Sequence, residues 1–209
     1  MSSQVIAIDG PAGSGKSSVA RALAATLGWS FLDTGAMYRA VTGEALRVGV
    51  DLFDEEAVGA LASDVEIVTL PRVSVNGRDV HDELRTDEIN HAVSVVAANP
   101  LVRAQMVRRQ RDFAAAQPVG TVVEGRDITT VVFPNATVKV YLTASLEERS
   151  RRRNDESEAS VNRRDVADTT REASPLRQAH DALVLDTTGR SVHDVVEEIT
   201  QCLKLRTSS

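Results

Sequence analysis

Cysteine occurs once in this 209-residue chain, at Cys202, so no internal disulfide can form and nothing calls for an oxidising compartment. Cys202 sits in an apolar-patterned C-terminal segment and reads as an ordinary small helix residue. Aromatic residues are also scarce, with one Trp, two Tyr and four Phe scattered along the chain, which excludes a base-stacking platform for single-stranded nucleic acid. Basic excess is missing too: the net charge is −6 and the pI about 5.3, where a dedicated nucleic-acid binder carries a basic balance. No stretch approaches the roughly 18 apolar residues of a membrane span. Met1-Ser2-Ser3-Gln4 is not a basic region followed by a long apolar run, so no signal peptide is expected and the protein is placed in the cytoplasm. There is no internal repeat and no hydrophobic heptad, so a monomer is expected.

What is present is an alternation of short β-branched runs and helical patterns. Val5 to Ile8 reads as a strand, followed by glycines and a helix ending at Gly28, a residue suited to the left-handed position after a helix. Trp29 to Leu32 reads as a second strand, Asp33-Thr34-Gly35 as a turn, and Ala36 to Val48 as a helix. Glu55 to Ala62 is a short helix. Val65 to Leu70, Val73 to Val75 and Arg78 to Val80 then read as small antiparallel strands, with Asn76-Gly77 a strong hairpin signal because both central positions need positive φ. Helices are expected over 87–98 and 100–116, strands over 121–124 and 137–142, a helix opening with the capping box Ser145/Glu148, a last strand over 182–185 and a last helix over 191–203. Strands alternating with helices imply an α/β fold with a parallel sheet flanked by helices on both faces.

The first strand-to-helix connection is the most specific signal. Gly10-Pro11-Ala12-Gly13-Ser14-Gly15-Lys16-Ser17 matches G-x-x-x-x-G-K-[ST] in full and in the correct context. Small residues let backbone N–H groups turn inward around phosphate oxygens, and the helix N-terminus favours negative charge there. Lys16 reaches the β- and γ-phosphates of a nucleoside triphosphate and the Ser17 hydroxyl ligates Mg²⁺. With the adjoining Ser18, Gly10 to Ser17 form the candidate nucleotide-binding set. A guanine-reading Asn-Lys-x-Asp is absent, and the chain is short for a mechanochemical ATPase, so a small-molecule kinase is expected.

A kinase acting on a phosphate must hold two polyanions together, which calls for arginines near the ends of strands. Arg39 follows the second strand, Arg126 follows the strand ending at Glu124, and Arg164 and Arg171 flank Asp165 and Asp168. Any single arginine is by default a solvated surface residue. Arg108, Arg109 and Arg111, and Arg151, Arg152 and Arg153, lie on helices and read as solvated faces, with lid charges the alternative for the second run.

The chain resembles the bacterial cytidylate kinases, of the nucleoside monophosphate kinase family. The resemblance is carried by Asp9-Gly-Pro-Ala-Gly-Ser-Gly-Lys-Ser17, by Leu32-Asp-Thr-Gly-Ala-Met-Tyr-Arg39, by Ser94-Val-Val-Ala-Ala-Asn-Pro-Leu-Val-Arg103 with Arg108-Arg-Gln-Arg111, and by Val123-Glu-Gly-Arg-Asp127 running into Thr130-Val-Val-Phe-Pro134. Arg164-Asp165, Asp168, Arg171, Ser174-Pro-Leu176 and Asp181-Ala-Leu-Val-Leu-Asp186 continue it, in the same order as in the family. It implies phosphoryl transfer from ATP with Mg²⁺ to CMP or dCMP. It implies a P-loop core over 1–38, 117–150 and 165–209, and a nucleoside-monophosphate-binding domain over 39–116 with a β insertion near 64–85. A short lid would occupy 151–164. By resemblance Arg39 and Arg126 hold the acceptor phosphate, and Thr34, Ser94, Arg103 and Asp127 read the cytosine. Arg164 and Asp168 reach the ribose or phosphate, Arg171 reaches the transferring phosphoryl group, and Glu124 joins Ser17 at Mg²⁺. Lys16, Arg126, Arg164 and Arg171 are the expected catalytic set.

The base assignment also has a chemical argument. Cytosine donates from N4 and accepts at N3 and O2, which suits a carboxylate and a guanidinium, whereas uracil would set an oxygen against Asp127. Ser94 bonding its own helix and Asp127 salt-bridged to a nearby arginine are the plainer readings of those residues. A kinase for another acceptor such as UMP and a non-catalytic nucleotide-binding module are the alternatives. Small-molecule substrates, with no nucleic acid and no membrane, are the expected partners.

Overall fold

The computed structural model describes residues 4–152, 166, 169 and 175–207, which divide into two compact units, 1–32 with 113–209 and 33–112. Arg164, Asp168, Arg171 and most of the proposed lid lie outside the described residues. Among the described residues no helix is long and apolar enough to cross a membrane.

The first unit is built on a five-stranded sheet in the order β2-β6-β1-β7-β8. The strands are β1 (Gln4–Asp9), β2 (Ser30–Asp33), β6 (Gly120–Gly125), β7 (Val138–Thr143) and β8 (Leu183–Asp186). β1 pairs in parallel with β6 and β7, and β7 with β8. Val5 to Ile8 and the whole of β6 are buried, which is why these strands read as apolar runs without alternation. Helices α1 (Lys16–Leu27) and α7 (Val192–Thr207) pack on the sheet and on each other. Val19, Ala20, Leu23 and Ala24 face inward at helical spacing, and Val195, Val196, Ile199 and Leu203 do the same on α7. The core between them includes Ile6, Ile8, Val122, Val140 and Leu142, the larger of which contribute about 1.5–3 kcal/mol each on burial. As expected, α1 ends at Gly28 (φ 65°), with the Trp29 N–H reaching the Ala24 carbonyl and the Gly28 N–H that of Ala25.

The second unit holds α2 (Thr34–Val48), α3 (Glu55–Asp64), α4 (Asp87–Ala98) and most of α5 (Pro100–Ala115). It also holds the expected small antiparallel sheet: β3 (Ile67–Val68), β4 (Ser74–Val75) and β5 (Arg78–Asp79). Val65, Val73, Val75, Val80 and Leu84 form its core with Ala36 and Ala40 of α2. Asn76 (φ 50°) and Gly77 (φ 78°) both take positive φ at the hairpin, as the dipeptide predicts.

Two readings of local structure are corrected. The three strands are shorter than expected because their flanks are used elsewhere. The Val65 N–H closes α3 on Leu61, the Glu66 N–H donates to the Asn76 side chain, and Pro71 has no N–H to offer a ladder. Asp33-Thr34-Gly35 is not a turn before a helix at Ala36: the helix begins at Thr34, and Asp33 caps it by accepting the Ala36 N–H at 2.9 Å.

Candidate active site

Parallel pairing sets Asp9 opposite Gly125 on one side and Tyr141 on the other, and Thr143 opposite Asp186. The residues that follow these strand ends therefore emerge side by side at the carboxyl edge of the sheet. They are Gly10 and the glycine-rich loop, Arg126-Asp127, Ala144 and Thr187. Ligands of open α/β sheets bind at such an edge.

The loop folds back over its own helix. Lys16, almost fully buried in the first turn of α1, donates from Nζ to the Pro11 carbonyl at 2.8 Å, so its ammonium lies over the loop. A Cβ at Gly10 would stand 2.1 Å from the Leu142 carbonyl oxygen, and one at Gly13 would stand 2.7 Å from that of Arg149, so both glycines are required by close approach of backbone. Ser14 is fully buried, and its hydroxyl has no hydrogen-bond partner among the described residues. Ser18 is exposed on α1. Ser17 donates from Oγ to Oε1 of the buried Glu124 at 2.5 Å, joining α1 to the end of β6. A hydroxyl and a carboxylate held in contact are hard oxygen ligands of the kind Mg²⁺ takes beside phosphate and water. Among the described residues no group of three or more His, Cys, Asp or Glu could hold a metal ion.

After β6 the chain turns through Arg126, half-buried, and Asp127, buried, into a single π-helical turn over Ile128–Val132. Such turns concentrate at functional sites. Sequence pattern predicts no element there. Nor does it give a role to Asp9, the fully buried last residue of β1. Its Oδ1 accepts the Ile128 N–H at 2.9 Å, and its Oδ2 accepts the Thr129 N–H at 2.7 Å and the Thr129 hydroxyl at 2.6 Å. Burial pushes its carboxyl up to about 6, against the pull of those three donors, and the nearby Asp127 adds to the rise. A carboxylate closing an apolar strand is the signal in the sequence.

In the second unit, Thr34 is the buried first residue of α2, and Arg39 lies one turn on, its guanidinium passing over Gly35. Ser94 is partly buried on α4, which packs against α2. Arg103, buried on α5, donates to the Ala97 carbonyl at 3.4 Å and stands 6.0 Å over the Tyr38 ring of α2. Of the four expected base readers, the fold thus brings Thr34, Ser94 and Arg103 onto helices of one unit, with Arg103 seated against α2.

The arginine runs are only partly the solvated faces expected. Arg109 donates to the main-chain carbonyls of Val65 and Ser63, and burial pulls its pKa down. Arg149, buried on α6 (Leu146–Arg151), donates to the Ala144 and Ala12 carbonyls, and so clamps the phosphate loop. Arg152 donates to Glu148 and to both the hydroxyl and the carbonyl of Thr187, whose hydroxyl in turn donates to the Ser14 carbonyl. Arg151 and Arg152 hold the Glu148 carboxyl down at about 2. Local sequence marks the pairing of Arg151 and Arg152 with Glu148, but not the bonds of Arg109, Arg149 and Arg152 to carbonyls 35 to 137 positions away.

A strand, a glycine-rich loop with its lysine and serine, and a carboxylate on the neighbouring strand together define a P-loop phosphotransferase. The cytidylate kinase family model matches residues 6–205. A cytidylate kinase of Geobacillus kaustophilus (strain HTA426) is 48% identical over 218 aligned positions, covering 96% of each chain. One of Mycobacterium leprae (strain Br4923) is 46% identical, covering 100% of this chain and 99% of its own. The chain belongs to the cytidylate kinase family. Solved structures agree at the level of fold: TT1252 from Thermus thermophilus has a TM-score of 0.56 at 23% identity, with 98% of each chain covered. Shikimate kinase from Acinetobacter baumannii has a TM-score of 0.50 at 16% identity, covering 96% of this chain and 93% of its own.

Proposed function

We propose that this enzyme transfers the γ-phosphoryl group of ATP to CMP or dCMP, giving CDP or dCDP and ADP, as a cytoplasmic monomer acting on small molecules. The observation that carries the reading is the carboxyl edge of the sheet, where the phosphate loop, the Ser17–Glu124 pair and Arg126-Asp127 emerge together. The backbone of residues 10–18 cradles the donor phosphates, and Lys16 neutralises the β- and γ-oxygens. Ser17 and Glu124 would hold Mg²⁺, which would supply charge neutralisation at the donor phosphates. Arg39 and Arg126 take the acceptor phosphate, with Arg164 and Asp168 at ribose or phosphate and Arg171 at the transferring group. Asp127 accepts from cytosine N4, while Arg103, with Ser94 and Thr34, serves the acceptor edge of the base. The core unit is the donor-binding part, residues 39–116 the acceptor-binding domain and 151–164 the lid. No strong general base is needed, because the acceptor phosphate is already anionic at neutral pH; positioning and charge neutralisation supply the rate.

The test is a coupled ADP-release assay with Mg²⁺-ATP against CMP, dCMP, UMP and AMP. Turnover on CMP and dCMP well above the others is expected, and preference for UMP or AMP overturns the assignment. Asp127→Ala should reduce kcat/KM for CMP by about 10²-fold while affecting UMP much less, since an unpaired buried polar group is what rejects the wrong base. An equal loss on both removes Asp127 from base reading.

A further inference from the structure

We infer that Asp9 is a positioning residue for the acceptor: its carboxylate pins the turn that carries Arg126 and Asp127, and so sets the enzyme's affinity for the nucleoside monophosphate. The inference rests on the proposed roles of those two residues. Both carboxylate oxygens are engaged, and their three bonds go to Ile128 and Thr129, the two residues immediately after Asp127. The backbone at Asp127 (φ −136°, ψ 24°) departs from both strand and α-helix, and the turn's own bonds, from the N–H groups of Val131 and Val132 to the Asp127 carbonyl, close only downstream of it. A side chain from β1 thus ties down the chain where it passes from the end of β6 into the π-turn.

The phosphate loop beside Asp9 has other supports. Arg149 binds the Ala12 carbonyl and Thr187 binds that of Ser14. Loss of the Asp9 bonds should release the Arg126-Asp127 turn and leave the donor loop in place. Asparagine at position 9 keeps the size but offers an N–H₂ group where one oxygen now accepts, so at least one donor of residues 128 and 129 faces another donor.

Steady-state kinetics on Asp9→Asn, with CMP and ATP varied separately, make the test. KM for CMP should rise by about tenfold or more, as a small misplacement of binding groups does, while KM for ATP stays within about threefold. Thr129→Val removes only the hydroxyl bond and should raise KM for CMP by about fivefold, the worth of one hydrogen bond, and Thr129→Ser should restore it. The threonine pair carries the test if Asp9→Asn fails to fold. Equal changes in both KM values, an unchanged KM for CMP in Thr129→Val, or no rescue by serine overturns the inference. Asp127→Ala run in parallel separates the two claims. If it leaves the CMP-to-UMP ratio unchanged, the base-reading role falls and this inference with it. If it shifts the ratio while Asp9→Asn moves neither KM, only the inference falls.

Discussion

The phosphate loop of the first unit and the small sheet of the second are both short segments built around glycine, and both stand out in the sequence. They are held in different ways. In the loop, the carbonyls of Pro11, Ala12 and Ser14 each accept from a side chain, and two of those side chains, Arg149 and Thr187, come from far along the chain. In the sheet, the turn Asn76-Gly77 supplies the geometry, and the ion pairs of Arg72 with Asp79 and Asp82 and of Arg78 with Glu83 lie in water on the outside, with Arg78 also 3.8 Å from the buried Glu44 of α2. The segment that must meet a polyanion is fixed mainly by long-range bonds to its carbonyls, whereas the small sheet relies more on the conformation of its turn and on exposed pairs close in sequence.

The largest difference should appear in activity. Lys16→Ala removes the cation that its own helix seats over the loop and should lower kcat by about 10³-fold or more, the scale of losing a transition-state charge partner in a closed site. Loss of its bond to Pro11 leaves the supports from Arg149 and Thr187 intact, so the melting temperature should change little. Near-normal turnover in the coupled assay would remove Lys16 from phosphoryl transfer.

The buried Asp9 gives the loop region a pH signature that the sheet should lack. Its carboxyl titrates near 3.8 in an unfolded chain and at about 6 in the fold. Between those values the folded protein keeps a proton that the unfolded chain has lost, so this group's contribution is fully present below about pH 4 and lost as pH rises through about 6. A rise of that size corresponds to about 3 kcal/mol over the whole window. Asp9→Asn cannot titrate, so the stability advantage of the parent over this variant should be larger at pH 5 than at pH 7.5, read by urea denaturation. A gap that stays constant or widens with pH would mean that the carboxyl is not raised.

Legibility follows the range of the interactions. The alternation of β-branched runs with helices, the loop and the Asn76-Gly77 hairpin are local patterns with local causes, and the sequence shows each of them. The strand ends around the hairpin are not legible, because Val65 and Glu66 use their N–H groups on partners that a window of alternation cannot see. Asp33 is hard to read as a cap because glycine two residues on suggests a turn. At the site, the motif residues are legible by type, but the clamps are not. Asp9 meets residues 119 and 120 positions away, and Arg149 meets one 137 away. Only the folded sheet, by setting β1 between β6 and β7, makes them neighbours.

On the sheet side, Gly77→Ala tests conformation alone. No atom lies within 4 Å of the position a Cβ would take, so packing contributes nothing. The left-handed φ of 78° should still cost alanine about 1–2 kcal/mol. The loss should appear as a lower urea midpoint with an unchanged slope and an unchanged KM for ATP. A neutral result would mean that the hairpin can re-form with another turn.

The smallest effect is expected at Arg72. Its guanidinium donates to Asp79 at 2.6 Å and Asp82 at 2.7 Å, and these bonds raise its pKa above the usual value for arginine. The geometry is close, but Arg72 and Asp79 are about half exposed and Asp82 more so. Water screens the attraction, and ordering long side chains offsets much of what remains. Arg72→Ala should therefore shift the melting temperature by no more than about 2 °C at low salt. The shift should vanish near 1 M salt, where the screening length falls to about 3 Å. A larger shift, or one that survives high salt, would show that these surface charges hold the sheet as firmly as buried bonds hold the loop, and the contrast between the two regions would fail.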